Sequence, residues 1–231
     1  MDIKQHQVSN EQREFWSKVV EKYDRVVDAQ IGPGTRILVR DRVSTEDGLG
    51  DLVEFGCGTG FYTSVLASKS ERFIATDFSP AMIALAKDQV TVANVVFQVE
   101  DCQNSSLPAE TFDTAFISLV IHFTEPTRTL NEMNRILKPG GRLIIANLDP
   151  GALSGLNRLR CSIRILYYGL TGYRLKPPKG LGRNILTEKQ LVVLLGQSGF
   201  KVQSSETIRD ASRASHIPVE YIRAVKVSEI L

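Results

Sequence analysis

Three short apolar runs, each closing on a carboxylate or a glycine cluster, constrain the fold most strongly. They are DLVEFGCGTG (51–60), ERFIATD (71–77) and NVVFQVED (94–101). Nearly continuous apolar runs of this length, ended by glycine or acid, predict strands buried on both faces. TFDTAFISLVIHF (111–123) and RLIIANLD (142–149) predict a fourth and a fifth strand. Helical patterns separate them. In EQREFWSKVVEKYDRVVDA (11–29), Phe15, Val19, Tyr23 and Val26 recur at three- and four-residue spacing, with Asn10 as N-cap and IGPG (31–34) as stop. FYTSVLASKS (61–70) and Leu130–Leu137 read as helices, the second broken by LKPGG. In SPAMIALAKDQV (79–90), Ser79 can cap and Pro80 fits the first turn. TEKQLVVLLGQSGF (187–200) carries a Thr187/Gln190 capping box, and KVQSSETI and VEYIRAVKV predict late strands. Buried strands alternating with helices mean an α/β, doubly wound sheet.

The 231 residues suit one domain with a sizeable core. Hydrophobic residues at 42% and charged residues at 23% exclude a disordered or fibrous chain. Lys plus Arg number 28 against 26 acids, a net +2, so no global field argues for nucleic acid. Cys57, Cys102 and Cys161 have neither paired nor metal-type spacing, which points to reduced thiols in a cytoplasmic compartment and to no metal. The opening MDIKQHQVSN lacks an apolar core, so no signal peptide is expected. The charge is uneven: from Pro150 to Thr187 there are seven basic residues and no acids, leaving −5 for the remainder.

In open α/β sheets, ligands sit beyond the carboxyl ends of the strands. The first strand ends Glu54-Phe55-Gly56-Cys57-Gly58-Thr59-Gly60. Three alternating glycines there suit a nucleotide-type cofactor; an ordinary strand-to-helix turn is the plainer alternative. A dinucleotide site wants G-x-G-x-x-G, but the third position is the bulky Phe61. Glu54 beside the loop would repel pyrophosphate and suit a ligand with an amino group, as in S-adenosylmethionine. Asp77, ending the second strand, can accept from two ribose hydroxyls or cap the next helix. Asp101, after the third, can face an adenine amine or stay a solvated loop acid.

Taken in order, VEFGCGTGFY, ATDFSPAMIALAK, VEDCQNSSLP, FDTAFISLVIHF and LKPGGRLIIAN resemble the motifs of class I S-adenosylmethionine-dependent methyltransferases. The nearest branch acts on small molecules and includes the ubiquinone/menaquinone-biosynthesis C-methyltransferases. The likeness is strong over residues 11–150, looser over 187–231, and only positional between. It implies a Rossmann-like, mostly parallel sheet of seven strands, the last antiparallel, in one domain (1–231) with an N-terminal helix. It implies that Gly56, Gly58 and Gly60 pass under the methionine moiety, with Glu54 near its ammonium. It places the ribose on Asp77, the adenine between Phe78 and Met82, and the adenine edge on Asp101 and Cys102. Ser118 would offer its carbonyl to the ammonium, and Tyr23 would close over the carboxylate. Phe78 and Met82 could equally be core. His122 is the candidate general base, with pocket packing as the alternative. The expected activity is in-line methyl transfer to a small hydrophobic or anionic acceptor; the alternative is a cofactor-binding, non-catalytic regulator or partner subunit. A nicotinamide oxidoreductase is disfavoured by Phe61 and Glu54. No Asn/Asp-Pro-Pro-aromatic motif follows the fourth strand, which argues against nucleic-acid amino groups.

The basic stretch 150–186 fills the slot that holds a substrate lid in that family. Leu153, Leu156, Leu159, Ile163, Leu166/Tyr167 and Leu170 recur at helical spacing, with Arg158 and Arg164 off the stripe. It reads as a lid with Tyr167 or Tyr168 facing the methyl side, as a peripheral membrane helix over 153–170, or as a helix packed on the body with solvated arginines. The lid reading predicts that residues 151–183 are more mobile than the sheet when no ligand is bound.

Overall fold

The computed structural model describes residues 3–171 and 184–227. Seven strands form one sheet in the order β3-β2-β1-β4-β5-β7-β6. They are β1 (Gly50–Phe55), β2 (Ser70–Asp77), β3 (Val95–Val99), β4 (Phe112–Ser118), β5 (Leu137–Leu148), β6 (Phe200–Ile208) and β7 (Val219–Lys226). Strands β1 to β5 pair in parallel, and β7 runs antiparallel between β5 and β6. The chain steps outward from β1 to β3, then returns to lay β4 on the other side of β1. The β1/β4 boundary is therefore the switch point where a ligand crevice opens.

The helices are α1 (Ile3–Val19), α2 (Tyr23–Ile31), α3 (Pro33–Ser44), α4 (Thr63–Ala67), α5 (Pro80–Gln89), α6 (Pro126–Ile136), α7 (Gly155–Thr171) and α8 (Glu188–Gln197). They cover both sheet faces, which is why the central strands need to be apolar throughout. One core joins Leu52, Phe73, Phe116, Ile144 and Tyr221 to α2 and α3; the other joins Val53, Ile117, Ile145 and Ile222 to α6 and α8. Ser79 caps α5 by accepting from Met82 N–H at 3.4 Å, ahead of Pro80. The Thr187/Gln190 box forms at α8. Gly199, at φ +79°, ends that helix before β6.

Three sequence expectations are corrected. Asn10 lies inside α1, which starts at Ile3, so it is not the N-cap; α1 also gives way at Val20–Lys22 to a 3-10 turn before α2. The IGPG stop does end the helix, with Gly32 (φ +83°) as C-cap of α2; Pro33 then opens α3, a helix that the sequence reading does not place. The fourth strand ends at Ser118, not Phe123, because Leu119 turns to φ +57° and residues 121–123 form a 3-10 turn. Finally, α7 is inverted relative to the packed-helix reading. Its apolar stripe faces out, whereas Arg158 donates to Leu153 O at 2.8 Å and Arg164 to Gln30 O at 3.2 Å. The remainder of the basic stretch, 172–183, lies outside the described residues.

One buried acid ties α3 to the antiparallel edge. Glu46 is 2% exposed and meets Arg42 at 2.7 Å, Arg223 at 3.5 Å and Arg142 at 3.6 Å, while Tyr221 OH donates to it at 3.2 Å. Removing one member of such a cluster strands the others. Glu46→Ala is expected to lower unfolding stability by about 3 kcal/mol in urea titrations. A loss under about 0.5 kcal/mol would mark the cluster as a bystander.

Candidate functional site

The crevice is built on backbone that only glycine adopts easily. Gly56, Gly58 and Gly60 sit at φ +72°, +54° and +85°. A Cβ on Gly56 would stand 2.2 Å from Val120 Cγ2, and one on Gly60 2.5 Å from Val90 Cγ2. On Gly58 it would approach the Tyr23 ring to 3.2 Å. Asp77 fastens this loop: Gly58 N–H donates to its Oδ2 at 3.0 Å, and Ser79 N–H to its Oδ1 at 2.8 Å. Burial nevertheless pushes the Asp77 carboxyl up to about 6.

A cleft with about 680 Å³ of empty space, part of it open to solvent, lies over the loop. Of the residues expected to hold a cofactor, Tyr23, Gly56, Gly58, Asp77, Phe78, Met82, Asp101 and Cys102 form its walls. Glu54, Gly60 and Ser118 are not brought to that surface. Gly60 instead packs the loop on the end of α5. Ser118 is a buried strand end. Glu54 is 1% exposed behind the loop and accepts from Thr63 Oγ1 at 2.6 Å. Tyr167 is exposed and Tyr168 half-buried on α7; neither lines the cleft.

Several wall residues escaped the sequence reading. Trp16 on α1 stands edge-on to Phe123 (4.8 Å between centroids) and Tyr23 (6.2 Å), roofing the cleft. Its signal was available, since Trp16 lies one and two turns before Val20 and Tyr23 on one helical face. Leu119 gave none: nothing in its side chain announces a left-handed backbone, which costs about 1 kcal/mol or more in a non-glycine residue. Arg36 is a third. Its guanidinium reaches Asp24 at 2.6 Å and Asp28 at 3.5 Å and lies 3.8 Å over the Phe61 ring. Thr59 of the glycine loop donates to the same Asp24 at 3.1 Å, so α2, α3 and the loop are clamped together.

The electrostatics select the ligand. Asp77, Glu100 and Asp101 line the cleft, and none of its described lining residues is basic. Such a wall repels phosphate and accepts a cation bearing vicinal hydroxyls and an amine edge. The residues present therefore fit S-adenosylmethionine: Asp77 for the ribose, Asp101 for the adenine edge, and glycine backbone where a side chain would intrude. His122 sits apart, in a smaller apolar cavity with Val27, Ile31 and Leu148, which shares Tyr23, Leu119 and Phe123 with the cleft. It is 6% exposed and its Nδ1 has no hydrogen-bond partner among the described residues. Burial holds its value down to about 4, so the ring is neutral at neutral pH.

Burial drives Glu54 the other way, up to about 8 from an ordinary 4.5, with Asp77 adding repulsion. The folded protein thus keeps a proton on Glu54 that the unfolded chain has already lost, and stability falls as pH rises toward 8. Asp77 acts in the same sense, but chiefly below about 6. His122 opposes it only below its ordinary 6.5. Between pH 6.5 and 8 the slope belongs mainly to Glu54. Melting curves should show wild-type Tm dropping across that interval and Glu54→Gln flattening the drop. An identical slope in both would remove Glu54 as its source.

Comparison with known proteins gives similarity in sequence and in fold. Residues 53–145 match the family described as Methyltransferase domain. The biotin biosynthesis bifunctional protein BioHC of Cellvibrio japonicus is 33% identical over 144 residues, covering 62% of this chain and 28% of that protein. The ubiquinone/menaquinone biosynthesis C-methyltransferase UbiE of Geobacter sulfurreducens is 31% identical over 104 residues, covering 42% and 41%. The chain spans between 28% and 66% of the length of the curated relatives it matches. The crystal structure of a SAM-dependent methyltransferase from Aquifex aeolicus superposes with a TM-score of 0.62 at 19% identity, over 91% of this chain and 98% of that one, which supports the fold. Over residues 53–145, the chain is similar to the family described as Methyltransferase domain and to methyltransferases such as UbiE.

Proposed function

We propose that this chain transfers the methyl group of S-adenosylmethionine to a small, largely apolar acceptor seated beside His122. The observation that carries the reading is the pairing of two compartments. A cleft over the glycine loop, acid-walled and without a basic side chain among its described lining residues, adjoins an apolar cavity holding one neutral imidazole whose Nδ1 has no partner among the described residues. When bound, the cofactor supplies an electrophilic methyl on a sulfonium. The protein's part is orientation, exclusion of water and handling of one proton. Asp77 retains lone pairs beyond its two backbone bonds and can receive both ribose hydroxyls. Tyr23, Leu119 and Phe123 form the shared wall between cofactor and acceptor. His122 Nδ1 is available to accept a hydrogen bond, and then the proton, from an acceptor O–H or N–H as the new bond to carbon forms.

The described ends of the basic stretch, 150–171 and 184–186, belong to this acceptor side, within a single methyltransferase domain. Support comes from both ends of the described part: Asn184 N–H donates to His122 O at 3.0 Å and Asn184 Nδ2 to Thr124 O at 2.6 Å, while Arg164 holds Gln30, a wall residue of the His122 cavity.

Calorimetry is expected to show S-adenosylhomocysteine binding and no NAD binding; the reverse pattern would sink the reading. Asp77→Ala should weaken cofactor binding about ten-fold or more, since it loses charge-assisted bonds and frees Gly58 as well. An unchanged Kd in a folded variant would reduce Asp77 to a loop fastener. His122→Phe should keep cofactor affinity and lower kcat by roughly a hundred-fold with an O–H or N–H acceptor. A kcat within about three-fold of wild type would make His122 a packing residue, and methyl transfer a matter of alignment alone.

A further inference from the structure

The described surface of α7 is the reverse of an ordinary surface helix. Leu156, Leu159, Ile163, Leu166 and Leu170 are 58–81% exposed and fall on one stripe at three- and four-residue spacing. The opposite face is the anchored one: Cys161 is 4% exposed in the core, Ile165 packs against that core, and Arg164 is bonded to the Gln30 carbonyl of the body, while Arg158 bonds the Leu153 carbonyl in the turn before the helix. The helix is thus held firmly with its aliphatic side outward. Five large aliphatic side chains in one row exceed what a soluble surface scatters at random.

We propose that this stripe docks the protein on an anionic lipid surface. The occupant is chosen by charge and geometry. Arg160 borders the stripe and is exposed, and no acid occurs anywhere between Pro150 and Thr187 in a protein that carries −5 elsewhere. A second copy of this helix laid against the first would bring arginine to arginine with no carboxylate between them. Negatively charged headgroups complement the border, while the acyl boundary accepts the leucines. The helix lies on the surface rather than through it. It has 17 residues with three arginines, and no helix among the described residues is long and apolar enough to cross a membrane. Because Arg164 grips Gln30 beside the His122 cavity, docking would set that cavity close to the bilayer.

The test is co-sedimentation of the full chain with phosphatidylcholine vesicles and with vesicles containing phosphatidylglycerol. The wild type is expected on the anionic vesicles, less on the neutral ones, and less again at raised salt. Leu159→Gln with Ile163→Gln and Leu166→Gln should weaken that binding by roughly ten-fold or more while Tm and S-adenosylhomocysteine affinity stay unchanged, because all three side chains face solvent. Arg160→Glu should abolish the preference for anionic lipid. Absence of wild-type binding to either vesicle, or undiminished binding by the triple variant, overturns the proposal. So does gel filtration showing a wild-type dimer that the triple variant splits, without vesicle binding, since the stripe would then be an interface between copies.

Discussion

The tie between Asp77 and Gly58 is the interaction on which the site depends. One carboxylate at the end of β2 receives an N–H from the loop after β1 and another from the start of α5. Two strand ends and a helix start are thereby fixed at one point, on the crevice side of the sheet. The bond requires Gly58 to hold its N–H toward β2, which in turn requires the left-handed φ of the alternating glycines. The loop is clamped from its other side by Thr59 on Asp24, which Arg36 holds in place. Cofactor recognition is thus an extension of a structural bond, and a substitution at Asp77 disturbs both.

A second constraint follows from packing charge behind that loop. Two carboxyls, Glu54 and Asp77, share a desolvated corner. They do not both ionise at ordinary cost. The structure resolves this by hydrogen-bonding Asp77 to backbone amides and leaving Glu54 with a single hydroxyl donor, Thr63. The Glu54 proton makes the corner tolerable without a cation present. In the neighbouring cavity His122 is treated in the same spirit, neutral through burial with a nitrogen left over.

What the sequence revealed was what strand ends reveal. The apolar runs located β1 to β5, and their closing acids and glycines located Gly56, Gly58, Asp77 and Asp101, because in a doubly wound sheet chain order and space agree at the carboxyl edge; Tyr23, Phe78, Met82 and Cys102 came only through the family resemblance. The N-terminal helix was legible as a helix but not as a roof, since nothing local says that Trp16 and Tyr23 lean over β1 rather than into the core. Leu119 was illegible because its backbone angle is imposed by the bond from its N–H to Ala146 O and by the turn that follows. Glu54 was read from proximity in sequence; its side chain points across the strand, behind the glycines, where only the third dimension could put it.

The orientation of α7 marks the boundary of what periodicity can say. A stripe of leucines every three to four residues specifies an amphipathic helix, and the ordinary inference is that the stripe faces the core. That inference assumes the body offers an apolar surface to receive it. Here the body offers the Gln30 carbonyl, which Arg164 satisfies and a leucine cannot, and Arg158 satisfies the Leu153 carbonyl just before the helix. Cys161 and Ile165 supply enough apolar contact to seat the helix on that side. Cys161, Ile165 and Arg164 therefore carry the contacts to the body, and the stripe from Leu156 to Leu170 is left facing out. Patterning fixed the helix and its two faces; which face turns inward was decided by the hydrogen-bonding demand of the surface beneath it.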